Sequence, residues 1–128
     1  MARKLGFDNI NMDLIMGLPE ENLADVRNTM EILKELDPDN ITIHSLAIKR
    51  AARLNIFKDR YESMMMVNTQ EHMDLCAEYC HQMGLSPYYL YRQKGMAGNM
   101  ENVGYAKPGK AGVYNVLIME ERQTIVAC

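Results

Sequence analysis

Apolar and polar residues alternate from Ile10 to Met16: Ile10, Met12, Leu14 and Met16 interleave with Asn11, Asp13 and Ile15. A period of two is that of a β-strand, whose successive side chains point to opposite faces. One face is wholly apolar, and the other sets Asn11 and Asp13 beside Ile15. An unpaired carboxylate is costly to bury, so Asp13 is expected to meet water or a partner. In an α/β barrel the inner strand face looks into a lumen where ligands gather near the C-terminal strand ends. The pattern predicts that position for Asp13, an acid on an exposed edge strand being the simpler alternative. Gly17-Leu18-Pro19 then turns the chain. The period changes to that of a helix over 23–36, carried by Leu23, Val26, Met30, Leu33 and Leu36. Asn22 suits its N-cap, with Asp25 as the acidic half of a capping box, and Asp37-Pro38-Asp39-Asn40 stops it. Ile41 to His44 alternates again as a second strand, with Ile41 and Ile43 toward helices and Thr42 and His44 inward with Asp13. Strand, helix and strand with short loops make a βαβ unit, which is parallel and right-handed.

Further along, helical spacing runs from about 61 to 83, with Thr69 as an internal N-cap and Gly84 as the stop. Met73, Cys76, Ala77, Cys80 and Met83 form its apolar stripe. Cysteines four apart share a helix face and could join a metal site. The stripe alone accounts for them as core residues, and no third ligand lies at a useful offset, since His72 and His81 fall off it. Tyr88 to Gln93 reads as a third strand by β-propensity, its aromatic rings either packing or stacking on a flat ligand. The span 95–112, with five glycines and Pro108, reads as a long loop. It carries Asn99, Glu101, Asn102, Tyr105 and Lys107, residues of an active-site loop or of a merely solvated one. Val113 to Met119 is expected as a fourth strand and Thr124 to Cys128 as a fifth, the two forming a C-terminal strand pair. The basic stretch 49–60 is expected to be solvated, because Asp59 and Glu62 balance it.

A length of 128 residues allows one domain with a sizeable core, and 48% hydrophobic and 24% charged residues suit a globular protein. The net charge of −3 argues against a nucleic-acid partner. No apolar run approaches the roughly 18 residues of a membrane span, and Met1-Ala2-Arg3-Lys4 lacks a secretory apolar segment. Three cysteines give no disulfide framework and suit a reducing cytoplasm. Twelve methionines read as adaptable core filler. Ala2 to Gly6 resembles the last turn of a helix closed by glycine, and the chain stops inside an apolar strand, so a piece of a larger domain is expected.

The segments INMDLIMGLP, LDPDNITIHSLAIKR, GLSPYYLYRQKGMAGNMENVGYAKPG and YNVLIMEERQTIVAC together resemble the oxygen-independent coproporphyrinogen III oxidases, and the later ones their coproporphyrinogen dehydrogenase branch. These are radical S-adenosylmethionine enzymes of haem biosynthesis, and the likeness runs from residue 6 to residue 128. It implies about half of a TIM-like (β/α) barrel, a single domain with βαβαβ over 1–94 and a loop plus strands over 95–128. It also implies a parent that binds S-adenosylmethionine and a [4Fe–4S] cluster. There a deoxyadenosyl radical takes hydrogen from a propionate, and decarboxylation leaves a vinyl group. By the same resemblance Asp13 and Ala47 contact the cofactor. His44, Tyr89, Tyr91, Arg92 and Asn102 are candidates for substrate contact, an arginine suiting a propionate carboxylate. The family's CxxxCxxC cluster loop and the glycine-rich motif after it are absent from the sequence, so the chain by itself is expected to be inactive.

A second expectation is a binding or assembly module. Exposed strand edges and an open apolar lumen favour self-association. A haem carrier would call on His44, His72 or His81 as axial ligands.

Overall fold

A computed structural model describes residues 1–46, 69–91 and 100–120. A 3-10 turn at Ala2–Leu5 closes on Gly6 in the left-handed conformation. It leads to β1 (Asn11–Met16). Gly17 takes a positive φ of 85°, a conformation other residues resist, and its N–H donates to Glu21 Oε2 at 3.0 Å. The helix α1 (Leu23–Leu36) follows. Asn22 Oδ1 accepts from the N–H groups of Ala24 and Asp25, and Asp25 Oδ2 accepts from the N–H of Asn22, so the expected capping box forms. The strand β2 (Asn40–Ser45) pairs with β1 in parallel, placing Asp13 beside Thr42 and Ile15 beside His44. The predicted βαβ unit is therefore present.

The helix α2 (Gln70–Gln82) starts at Thr69, and residues 61–68 of the expected longer helix lie outside the described residues. His72 sits at N3 of the cap, where its Nδ1 accepts from the Thr69 N–H. The strand β3 (Ser86–Tyr91) comes next, then β4 (Asn102–Ala106) and α3 (Val113–Met119). The sheet order is β1-β2-β4-β3, with β4 antiparallel to both neighbours.

Three expectations need correction. The span 95–112 is not all loop, because residues 102–106 form β4 and occupy the middle of the sheet. Its glycine content hid the strand: Gly104 is needed there, since a Cβ at that position would sit 3.1 Å from Tyr89 and 3.2 Å from Tyr88. The third strand does not extend a purely parallel sheet. β3 runs in the same direction as β2, but the antiparallel β4 separates them. Val113–Met119 is a helix, not a strand, so it forms no C-terminal strand pair; residues 124–128 lie outside the described residues. A short apolar run does not distinguish a strand from a helix by periodicity, and here Tyr88 Oη accepting from Asn115 Nδ2 at 2.9 Å ties the helix to β3.

Both longer helices cover one face of the sheet. Val26, Met30 and Leu33 of α1 and Met73, Cys76, Tyr79 and Cys80 of α2 pack with Met16, Ile41, Ile43 and Tyr105 in one core cluster. Three methionines are among these core residues, as their adaptable shape suggests. At the end of the sheet where β2 begins, Asp39 gathers the N-terminal segment. Its Oδ2 accepts from the Ile10 N–H at 2.9 Å and pairs with Arg3 Nη1 at 2.8 Å. The Lys107 N–H donates to the Asp39 carbonyl, joining the end of β4 to the same point.

Candidate functional site

The sheet face away from α1 and α2 carries the polar positions of β1 and β2. Alternation fixes this: with Met12, Leu14, Ile41 and Ile43 turned to the helices, Asn11, Asp13, Thr42 and His44 turn the other way. The Asp13 side chain is 62% exposed and that of His44 35%. A hydrogen-bonded row crosses the two strands. Thr42 Oγ1 donates to Asn11 Oδ1 at 3.1 Å, and Asn11 Nδ2 donates to Asp13 Oδ1 at 2.7 Å. His44 Nε2 lies 3.9 Å from the same Asp13 oxygen, close enough for an ion pair when the ring is protonated. The sequence pattern picked out Asp13, Thr42 and His44 as one inward set. It passed over Asn11 as a ligand of Asp13, although a second polar residue two positions earlier on the same strand face was the available signal.

The other candidates are more dispersed. Tyr89 lies opposite Gly104 on β4, and its ring centroid is 6.3 Å from that of Tyr88. Burial pushes the Tyr89 phenol up, with Tyr91 and Tyr88 adding to the shift, so it stays a neutral hydroxyl near pH 7. Tyr91 is exposed at the end of β3, in register with Asn102. Asn102 is buried, and its Oδ1 accepts from the Ser45 N–H at 2.9 Å, which ties β4 to the end of β2. Ala47 and Arg92 lie outside the described residues. Of the remaining histidines, His72 is buried at the α2 cap and His81 is exposed in its last turn.

Cys76 and Cys80 are fully buried, Cys76 Sγ lying 3.9 Å from Met16 Sδ. Burial pushes both thiols up to about 12, with Glu21 adding to the shift at Cys76 and Cys76 adding to that at Cys80. Protonated, desolvated thiols are poor nucleophiles and poor metal ligands. Under native conditions at pH 8 both are expected to resist iodoacetamide, and to react at once in denaturant. Peptide mass spectrometry reads this directly, and rapid native labelling of either residue would contradict the packing. Among the described residues, no three His, Cys, Asp or Glu side chains gather into a metal-holding group. The described side chains thus do not fit an iron–sulfur cluster. No described helix is long and apolar enough to cross a membrane.

No family model matches the chain. It is 41% identical over 126 residues, 98% of its length, to the oxygen-independent coproporphyrinogen-III oxidase-like protein HemZ of Bacillus subtilis. The chain is homologous to a HemZ-type protein. It spans about a quarter of that relative, 25% of its length. A stretch of 45 residues is 44% identical to the oxygen-independent coproporphyrinogen III oxidase of a Synechocystis species, covering 35% of this chain and 10% of the relative. A stretch of 48 residues is 33% identical to the heme chaperone HemW of Bacillus subtilis, covering 38% of this chain and 13% of the chaperone. Among solved structures, the coproporphyrinogen III oxidase HemN of Escherichia coli, described as a radical SAM enzyme, superposes with a TM-score of 0.57 at 22% identity. That match covers 93% of this chain and 24% of HemN. At that identity HemN shares the fold, while the HemZ-type relationship rests on sequence.

Proposed function

We propose that this HemZ-like segment supplies one wall of the S-adenosylmethionine site in a radical S-adenosylmethionine coproporphyrinogen dehydrogenase. The observation that carries the reading is Asp13. A carboxylate stands on the face of a parallel strand pair turned away from α1 and α2, with Oδ1 held by Asn11 and near His44 Nε2, and with the side chain largely exposed. Such a group can accept hydrogen bonds from ribose hydroxyls or from an ammonium. Homology to HemZ over nearly the whole chain supports the assignment, and the likeness in fold to HemN supports placing the sheet in a (β/α) barrel. In this reading Ala47 follows β2 beside the cofactor, and Asp13 fixes the cofactor's orientation against the strand ends. His44, Tyr89, Tyr91 and Arg92 face a porphyrinogen substrate, and Asn102 holds β4 against β2 at the same rim. Bound S-adenosylmethionine supplies the radical that begins oxidative decarboxylation of coproporphyrinogen III. The cluster and the electron it delivers come from outside this segment.

Titration calorimetry of the 128-residue chain with S-adenosylmethionine tests the proposal. Saturable binding is expected, weakened by about tenfold or more in Asp13→Asn, which keeps the shape and removes the charge. Equal binding by the variant, or none by the parent chain, would overturn the reading. No cofactor cleavage is expected from the isolated chain after incubation with iron and sulfide.

A further inference from the structure

The row of hydrogen bonds across β1 and β2 gives Asp13 something an exposed strand carboxylate normally lacks, a fixed direction. A free aspartate in water samples several rotamers, and binding a ligand must then include the cost of selecting one. Here Asn11 Nδ2 donates to Asp13 Oδ1 at 2.7 Å, a short bond to a charged acceptor. The Asn11 carboxamide is itself held from the other side by Thr42 Oγ1 at 3.1 Å. The carboxylate only accepts, so it takes Nδ2 and leaves Asn11 Oδ1 to accept from the Thr42 hydroxyl, which holds the amide that way round. Thr42 is buried at the centre of the sheet, between Asp13 on β1 and Gly104 on β4. The row therefore begins on a rigid element and ends on the exposed acid.

We infer that Asn11 and Thr42 are positioning residues for Asp13, forming a two-bond relay that pre-orients its carboxylate for a ligand with hydroxyl or ammonium donors. The inference rests on the functional reading above and extends it to two residues that do not themselves touch the ligand. Each step has a distinct chemical requirement. Position 11 needs a side chain that accepts on one atom and donates on another, which asparagine provides and aspartate does not. Position 42 needs a hydroxyl, which serine provides and valine does not. With Oδ1 occupied by Asn11, Oδ2 is left for the ligand, and the relay sets the side on which it is presented.

Titration calorimetry on the full chain, with S-adenosylmethionine as the probe, distinguishes positioning from plain stability. Asn11→Leu is expected to weaken binding by about tenfold. Thr42→Val is expected to act in the same direction by a smaller factor, and Thr42→Ser to restore binding to within about twofold of the parent. In an Asp13→Asn background, Asn11→Leu should produce little further loss, because the group it orients has lost its charge. Urea unfolding of each variant reports stability separately. Proton NMR adds a readout without ligand: the Asn11 side-chain amide resonance is expected downfield in the parent and shifted upfield in both Asp13→Asn and Thr42→Val. Parent-like affinity in Asn11→Leu, full additivity with Asp13→Asn, or an amide resonance unmoved by either substitution would overturn the relay. Absence of binding by the parent chain would bring down the functional reading and this inference with it. Parent binding with an unaffected Asn11→Leu brings down the inference alone.

Discussion

Asp39→Ala is expected to destabilise the chain by about 2 kcal/mol at neutral pH, read as a lower urea midpoint with an unchanged slope. Asp39 is buried, and its carboxylate receives two charge-assisted contacts, from Arg3 and from the Ile10 N–H. Truncation removes both and leaves the Ile10 N–H, at the entrance to β1, without its partner. Arg3 is half exposed and also donates to the Asp37 carbonyl, so water and that carbonyl recover part of the loss. The cost therefore falls below that of breaking a fully buried ion pair.

The same residue gives the stability a defined pH dependence. Burial works against ionisation of Asp39, but the Arg3 guanidinium and the Ile10 N–H, with Lys107 further off, outweigh it and hold the carboxyl below its usual value of 3.8. A carboxylate whose pKa is lower folded than unfolded binds fewer protons in the native state. Its contribution is full above the unfolded value, about 4, and is lost as the pH falls through the folded value. The parent and Asp39→Ala should thus differ by a constant amount above about pH 5 and converge as the pH drops below 4. A difference that persists unchanged at pH 2.5 would show that the charge contributes nothing. Asp39→Asn, which retains an acceptor for Ile10, should fall between the two.

The second large effect belongs to the helix-facing side of β2. Ile43→Ala is expected to cost about 3 kcal/mol, the usual size for removing most of a fully buried aliphatic side chain from a packed layer. Ile43 lies in the cluster that joins α1 and α2 to the sheet, where packed neighbours limit how far a cavity can close. Ligand affinity per folded molecule should stay within about twofold, because the side chain points away from Asp13. Adjacent Thr42→Val gives the reverse pattern, with binding weakened and only modest change in stability. The two neighbours thus separate the layer that holds the fold from the face that carries the candidate site. A cost for Ile43→Ala under about 1 kcal/mol would mean that the helix layer packs loosely.

Local chemistry in the chain determined β1, α1, β2 and their parallel arrangement. Alternation sets the strand faces, Asn22 and Asp25 cap the helix, and Gly17 and Asp37 adopt the positive φ that ends the elements. Each of those signals acts within a few residues, so it is readable without knowing what packs on it. The same holds for the thiols of α2, whose helical stripe placed them in the core. Motifs spread along the whole chain pointed to the HemZ-type relatives that comparison then supplied.

Contacts between distant residues decided the rest. Residues 102–106 become a strand because β2 and β3 offer hydrogen-bonding edges on both sides and Tyr88 and Tyr89 require a glycine between them. Residues 113–119 are apolar enough for either regular structure, and Asn115 at Tyr88 gives the helix its docking point. The candidate site divides in the same way. Alternation alone put Asp13, Thr42 and His44 on one face. The bond from Thr42 to Asn11 spans 31 positions and exists only because two parallel strands bring those positions side by side. A polar pattern in the chain can say which residues share a surface, but which of them holds another in place depends on register, and register is set by the packed sheet.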